Sequence, residues 1–152
     1  MDCVLVAGGA GYIGSHACKA LSKAGYIPVC YDNLSTGWEE AVKFGPFERG
    51  DLLDRARIDE VLAKHKPIAI MHFAALSQVG ESMDDPGLYW RTNVMGSLNL
   101  IEAAVEADIK NFIFSSTCAT YGNPEYVPLD EKHPQNPINP YGASKLMLER
   151  VL

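Results

Sequence analysis

A phenol and an ammonium four residues apart open the run Tyr141-Gly142-Ala143-Ser144-Lys145, which stands at the start of an expected helix. Spacing of i and i+4 puts both side chains on one helical face. A free tyrosine titrates near about 10 and is a poor base at neutral pH, but a nearby cation favours the phenolate. Lys145 is that cation, so Tyr141 is a candidate proton acceptor. Alone, the pair would read as a solvated helix face. A second constellation changes the weight. The apolar run Cys3-Val4-Leu5-Val6-Ala7 turns abruptly through Gly8-Gly9-Ala10-Gly11-Tyr12-Ile13-Gly14. Gly8 permits a tight strand-to-helix turn, Gly11 lets backbone approach a pyrophosphate, and Gly14 lets the helix sit close on the strand. The helix N-terminus then offers free N–H groups and the positive end of its dipole to phosphates. Glycine-rich turns often merely end strands. Here the next apolar run ends at Asp32, near the expected distance for a carboxylate that binds an adenosine ribose diol. A carboxylate there accepts two hydroxyls and repels a 2′-phosphate, which favours NAD over NADP.

The third chemical element is Ser115-Ser116-Thr117-Cys118-Ala119-Thr120-Tyr121, just past an expected strand. In open α/β sheets ligands sit at the carboxyl ends of strands. Thr117 is therefore a candidate to bond a substrate oxygen and orient the proton that Tyr141 moves. Ser115 is expected to bond its own backbone instead.

The elements that must position these residues alternate short apolar runs with amphipathic ones, the pattern of βαβ units. The expected fold is α/β, a Rossmann-like doubly wound parallel sheet. Strands are predicted over 2–7, 27–31, 46–49, 68–73 and 111–115, and helices over 12–23, 55–64, 89–107 and from 141 onward. In the third helix Val94, Leu98, Ile101 and Val105 form one apolar stripe, as Ile58, Val61 and Leu62 do in the second. Gly25 and Pro67 mark the returns from helix to strand. The stretch 122–140 carries Pro124, Pro128, Pro134, Pro137 and Pro140, and irregular stretches of that length are usually functional or linker-like. Glu149-Arg150-Val151-Leu152 stop inside an uncapped helix, whereas a doubly wound sheet ordinarily has a sixth strand. The expectation is one incomplete domain over 1–152, truncated after the fifth strand and the start of the following helix.

With 13 Lys and Arg against 19 Asp and Glu, the 152 residues carry a net charge of −6. That argues against a general nucleic-acid or anionic-membrane surface, so an anionic cofactor must be held by local geometry. No basic leader and no bilayer-length apolar stretch is expected. Cys3, Cys18, Cys30 and Cys118 lack any CxxC spacing and read as small core residues in a reducing cytoplasm. His16, His65, His72 and His133 have no metal-ligand spacing. Trp38 and Trp90 are expected to pack rather than bind a sugar.

In this order, GGAGYIGSH, YDNLSTG, GDL, HFAAL, VGES, NVMGSLNL, FSSTCATYG and NPYGASKLMLER resemble the extended short-chain dehydrogenase/reductase family, and the resemblance covers the whole chain. Within it the similarity is to enzymes that invert C4 of UDP-hexoses. The resemblance implies NAD as cofactor, with Tyr12 and Ile13 against the pyrophosphate. It places Asp32, Asn33, Leu34, Ser35, Thr36 and Gly37 around the adenosine ribose, and Asp51 and Leu52 beside adenine. Phe73, Ala74, Ala75, Leu76 and Ser77 would line the nicotinamide side, with Asn93 reaching in from its helix and Lys145 holding the nicotinamide ribose. Thr117, Tyr141 and Lys145 match the family's catalytic hydroxyl, tyrosine and lysine. The implied reaction interconverts UDP-glucose and UDP-galactose through a 4-keto sugar, in galactose metabolism.

Two departures stand out: Ser77 where some relatives carry lysine, and Thr117 where others carry serine. A 4,6-dehydratase of the same family needs an Asp-Glu pair just after the threonine, and Cys118 and Ala119 stand there instead. Action on UDP-xylose, UDP-glucuronate or a UDP-N-acetylhexosamine remains an alternative, because the sugar-nucleotide region would lie beyond these residues. The chain by itself is expected to be inactive, and an NAD-binding remnant without turnover is the other alternative. A homodimer of the full-length enzyme is implied through the helices around 89–107 and from 141 onward.

Overall fold

The computed structural model describes residues 1–152. Five short strands, β1 (Cys3–Ala7), β2 (Ile27–Asp32), β3 (Phe47–Arg49), β4 (Ala69–His72) and β5 (Asn111–Phe114), form one sheet in the order β3-β2-β1-β4-β5. Every pairing is parallel. All five strands lie where the alternation predicts them, differing only at their ends. A parallel sheet is covered on both faces, and Val4 to Ala7 of the central strand are accordingly buried without a polar break. Side chains alternate between faces with period two. Leu5, Ala7, Val29, Tyr31 and Ile70 enter one core with Ile58, Val61, Leu62, Leu100, Ala103 and Ala104. Val6 and Cys30 enter the other with Ala10 and Cys18.

The helices follow from their caps. Helix α1 (Tyr12–Lys23) starts straight out of the glycine turn, matching the predicted range. Helix α2 (Arg55–His65) is capped by Asp54, whose carboxylate accepts the Arg57 N–H at 3.0 Å, and it ends on left-handed Lys66 (φ 48°). Glu48 of β3 is nearly buried and takes Arg57, Lys64 and His65 of α2 at 2.6, 2.7 and 2.6 Å, tying the edge strand to the helix.

By their internal contacts the 152 residues divide into two compact units. Met1–Ala75 with Leu98–Ser115 contains the sheet, α1 and α2. Leu76–Ser97 with Ser116–Leu152 contains α3 (Val79–Asp84), α4 (Pro86–Tyr89), a π-helical stretch Trp90–Met95, a 3-10 turn Cys118–Thr120 and α6 (Pro140–Val151).

Several expectations need correction. The helix predicted over 89–107 begins at Pro86, where Asp85 accepts the Leu88 N–H at 3.0 Å. It widens into the π turn and closes as α5 (Gly96–Glu106). Its stripe of Val94, Leu98, Ile101 and Val105 is not the buried face: Val105 is 73% exposed, while Leu100, Ala103 and Ala104 are buried. The helix has two apolar stripes, and the core takes the one whose alanines permit close approach. Helix α3 was not expected, because VGESMD has no apolar periodicity. Cys118 is exposed in its 3-10 turn and Cys3 is half-buried, donating to the His65 carbonyl, so only Cys18 and Cys30 are core residues. Trp38 is 74% exposed and Trp90 is also exposed; the fold uses the Trp38 backbone, whose N–H donates to the Ala10 carbonyl at 3.0 Å. The stretch 122–140 is ordered around buried His133, which accepts the Glu125 N–H and packs against the rings of Tyr121 and Tyr126. No helix is long and apolar enough to cross a membrane.

Candidate functional site

In the sheet-bearing unit the glycine turn is shaped by absent side chains. Gly8 has φ +80°, and a Cβ there would stand 2.5 Å from the Ala74 nitrogen. A Cβ on Gly14 would stand 2.0 Å from the Gly8 carbonyl oxygen. Both positions are closed by the protein itself. Gly11 differs, because a Cβ there would meet only the Gly8 oxygen, at 3.3 Å. Gly11 is the N-cap of α1 and provides no side-chain cap, leaving the first-turn N–H groups to an outside acceptor. Tyr12 and Ile13 beside it are exposed.

Asp32 closes the adjacent side. The residue is 9% exposed, and its carboxylate accepts the Ala10 N–H at 3.0 Å and the Leu34 N–H at 2.8 Å. Each oxygen retains a lone pair for a further donor. Leu34 adopts φ 62°, and the loop doubles back until a Cβ on Gly37 would come within 3.0 Å of the Ala10 Cβ. Asn33 accepts the Ser35 N–H and donates to Asp51 Oδ2 at 2.8 Å. The Tyr31 hydroxyl donates to the Asp51 carbonyl at 2.8 Å, and Asn99 Nδ2 donates to the Leu52 carbonyl at 2.9 Å. Thus the loop of Asp32, Asn33, Leu34, Ser35, Thr36 and Gly37 is joined to Asp51 through Asn33, Leu52 is held separately by Asn99, and Ala74, between Phe73 and Ala75 in sequence, closes over Gly8. An uncapped helix end, an open edge at Gly11 and a held carboxylate fit the pyrophosphate and ribose of a dinucleotide.

The second unit has a different construction. Asn139 caps α6 by accepting the Gly142 N–H at 2.8 Å, and Pro140 pre-sets its first turn. Tyr141 follows, half-buried. A Cβ on Gly142 would lie 2.5 Å from the Ala119 carbonyl oxygen, so the glycine lets α6 approach the turn that Thr117 begins. Thr117 Oγ1 accepts the Ala119 N–H at 3.2 Å, which leaves its hydroxyl hydrogen to donate elsewhere. One helical turn beyond Tyr141, Lys145 is only 3% exposed, and burial pushes its ammonium down to about 8. The structure therefore brings Thr117, Tyr141 and Lys145 into one region.

Asn93 has a role that its sequence position did not disclose. Its Oδ1 accepts the Leu76 N–H at 2.8 Å, and its Nδ2 donates to the Leu76 carbonyl at 3.0 Å and to Ser144 Oγ at 3.2 Å. Ser144 Oγ in turn donates to the Tyr141 carbonyl at 2.7 Å. The amide thus holds the backbone before exposed Ser77 and braces α6. Sequence reasoning also missed Tyr89, which is fully buried and sets its ring 6.4 Å from that of Tyr141. The available signal was its spacing of four from Asn93, an ordinary helical spacing with nothing to set it apart. No group of three or more His, Cys, Asp or Glu side chains is gathered as a metal site.

Residues 4–152 match the model of the NAD dependent epimerase/dehydratase family. The chain is 60% identical to a UDP-glucose 4-epimerase of Rhizobium leguminosarum bv. trifolii over 151 residues, covering 99% of this chain and 46% of that protein. Among solved structures, UDP-glucose 4-epimerase from Brucella ovis in complex with NAD superposes with a TM-score of 0.98 at 53% identity, covering 100% of this chain and 47% of that one. The UDP-Glc/GlcNAc 4-epimerase of Campylobacter jejuni gives 0.96 at 41% identity, covering 99% of this chain and 48% of that one. The chain spans about half the length of the curated relatives it matches.

Proposed function

The chain belongs to the NAD dependent epimerase/dehydratase family, and from that premise we propose that it carries the cofactor site and acid–base residues of an epimerase that inverts C4 of a UDP-hexose, interconverting UDP-glucose and UDP-galactose. The observation that carries this reading is the second unit's set of one phenol, one buried ammonium and one threonine hydroxyl, followed by Cys118 and Ala119. Neither of those two can act as the additional acid and base of a dehydratase. The 60% identity to a UDP-glucose 4-epimerase supports the same reading.

In this proposal Gly8, Gly11, Tyr12, Ile13 and Gly14 hold the pyrophosphate of NAD. Asp32 to Gly37 take the adenosine ribose, Asp51 and Leu52 flank adenine, and Phe73 to Ser77 border the nicotinamide, with Asn93 fixing Leu76. Bound NAD supplies a reversible hydride acceptor, so oxidation at C4 is followed by reduction and no net redox change remains. Tyr141 as phenolate takes the proton of the sugar 4-hydroxyl and later returns it. Lys145 holds the nicotinamide ribose and favours that phenolate. Thr117 donates to the oxygen on which Tyr141 acts. The protein would work as a cytoplasmic homodimer in galactose metabolism, on a UDP-sugar and without nucleic acid. The 152 residues alone would bind NAD without turnover. The Campylobacter jejuni neighbour gives grounds for one second reading, in which a UDP-N-acetylhexosamine is also accepted.

The test adds UDP-galactose and NAD to this chain, and to a chimera that continues it with the remaining half of the Rhizobium leguminosarum relative. UDP-glucose is expected from the chimera alone, and Tyr141→Phe is expected to abolish it. A chimera that converts only UDP-N-acetylhexosamines would overturn the hexose assignment. Full conversion by Tyr141→Phe would remove Tyr141 from the chemistry.

A further inference from the structure

Tyr141 occupies the first turn of α6, where no preceding helical turn packs against its side chain. Its backbone is nevertheless held, because the Ser144 hydroxyl donates to its carbonyl and Asn93 donates to that hydroxyl. Its ring has a separate neighbour in Tyr89, edge-on at 77° with centroids 6.4 Å apart. Edge-to-face pairs of this kind prefer a defined mutual orientation. An aromatic neighbour gives orientation only if it is itself fixed, and Tyr89 meets that condition. It is 0% exposed, and its hydroxyl sits among three partners: it accepts the Gln78 N–H at 2.9 Å and lies 2.7 Å from the Gln78 carbonyl and 2.8 Å from Glu81 Oε2. Burial, reinforced by Glu81, holds this phenol up near about 12, so it stays protonated and keeps donating through the neutral range.

We propose that Tyr89 is a positioning residue for Tyr141: anchored through its hydroxyl to Gln78 and Glu81, it presents a fixed ring edge that sets the orientation of the Tyr141 phenol. Two residues four apart in sequence then serve two ends of the same residue. Asn93, through Ser144, holds the Tyr141 backbone, and Tyr89 holds its ring. The same two residues clamp the backbone of Leu76 and Gln78. They flank the onset of the π-helical stretch Trp90–Met95, and such stretches recur at functional sites. The proposal rests on the reading of Tyr141 as the proton-transfer residue, but its test does not require turnover.

The 152-residue chain is labelled with 13Cζ tyrosine and titrated by NMR, with the Tyr141 signal assigned by its loss in Tyr141→Phe. In Tyr89→Leu the Tyr141 titration midpoint is expected to move by at least about half a pH unit, because the ring edge that fixes the orientation and surroundings of the phenol is gone. Tyr89→Phe keeps the ring but drops the hydroxyl anchor, and a smaller shift in the same direction is expected. This variant preserves the packing volume and decides the matter if the leucine variant does not fold. A Tyr141 midpoint unchanged in whichever of these variants folds would overturn the proposal. A shifted midpoint, combined with an active Tyr141→Phe chimera, would leave the positioning intact and remove the acid–base reading.

Discussion

The glycine turn and the start of α6 are built by opposite means. The turn holds its shape through backbone: Gly8 and Gly14 are closed to any Cβ, the Gly8 N–H donates to the Tyr31 carbonyl at 2.9 Å, and Asp32 is held by two backbone N–H groups. The region of Tyr141 holds its shape through buried side chains: Asn93 and Tyr89 bond backbone 17 and 11 residues away, and Ser144, itself bonded by Asn93, holds the Tyr141 carbonyl within its own helix. A backbone-built site fails through steric collision. A side-chain-built site fails through unsatisfied buried polar groups. The difference predicts which substitutions each region tolerates.

The largest effect is expected at Gly14. A Cβ 2.0 Å from the Gly8 oxygen forces strand and helix apart, so Gly14→Ala is expected to cost more than about 3 kcal/mol in chemical denaturation and to abolish NAD binding in calorimetry. Asn93→Leu should come next. It leaves the Leu76 N–H and carbonyl and the Ser144 hydroxyl without their amide partner, at about 2–3 kcal/mol, and it should deprotect the amide of Leu76 in hydrogen exchange. A loss of under about 0.5 kcal/mol would mean that the second unit is not side-chain-built. Gly11→Ala sharpens the contrast inside the first unit. Its Cβ meets only one protein atom, at 3.3 Å, so stability should change by less than about 1 kcal/mol while NAD affinity falls about tenfold.

This contrast also explains what was legible in the sequence. Glycines and an aspartate that act through backbone geometry leave a spacing signature, and Gly8, Gly11, Gly14 and Asp32 were found from it. Strands β1 and β2 were found because parallel strands buried on both faces are short apolar runs, whereas β3, β4 and β5 are only partly buried and were found from their place in the βαβ alternation. Tyr89, Asn99 and Ser144 act through partners brought near by folding, 11, 47 and 51 residues away, and no local pattern encodes such distances. The face of α5 was misjudged for a related reason. Leu98 and Ile101 are as apolar as Leu100, and only the close approach allowed by Ala103 and Ala104 selects between the stripes.

The last expected effects are in pH dependence, and they have the same sign but separate pH windows in the two regions, stability rising with pH in each. Glu48, in the first unit, is drawn down to about 2 by Lys64 foremost, with His65 and Arg57 beside it. As pH falls below the ordinary glutamate value of 4.5 the unfolded chain takes up its proton first, so the stability that Glu48 contributes is present above that pH and is lost on the way to about 2. Lys145, in the second unit, is pushed by burial to about 8 from 10.5. Between those values the unfolded chain binds the proton and the folded chain does not, so stability rises with pH there, by at most about 1.4 kcal/mol per pH unit. Denaturation at a series of pH values should show the acid loss vanish in Glu48→Gln and the alkaline rise vanish in Lys145→Met. An alkaline rise that survives Lys145→Met would mean that the ammonium is not held in a desolvated place, and the second region would lose its buried cation.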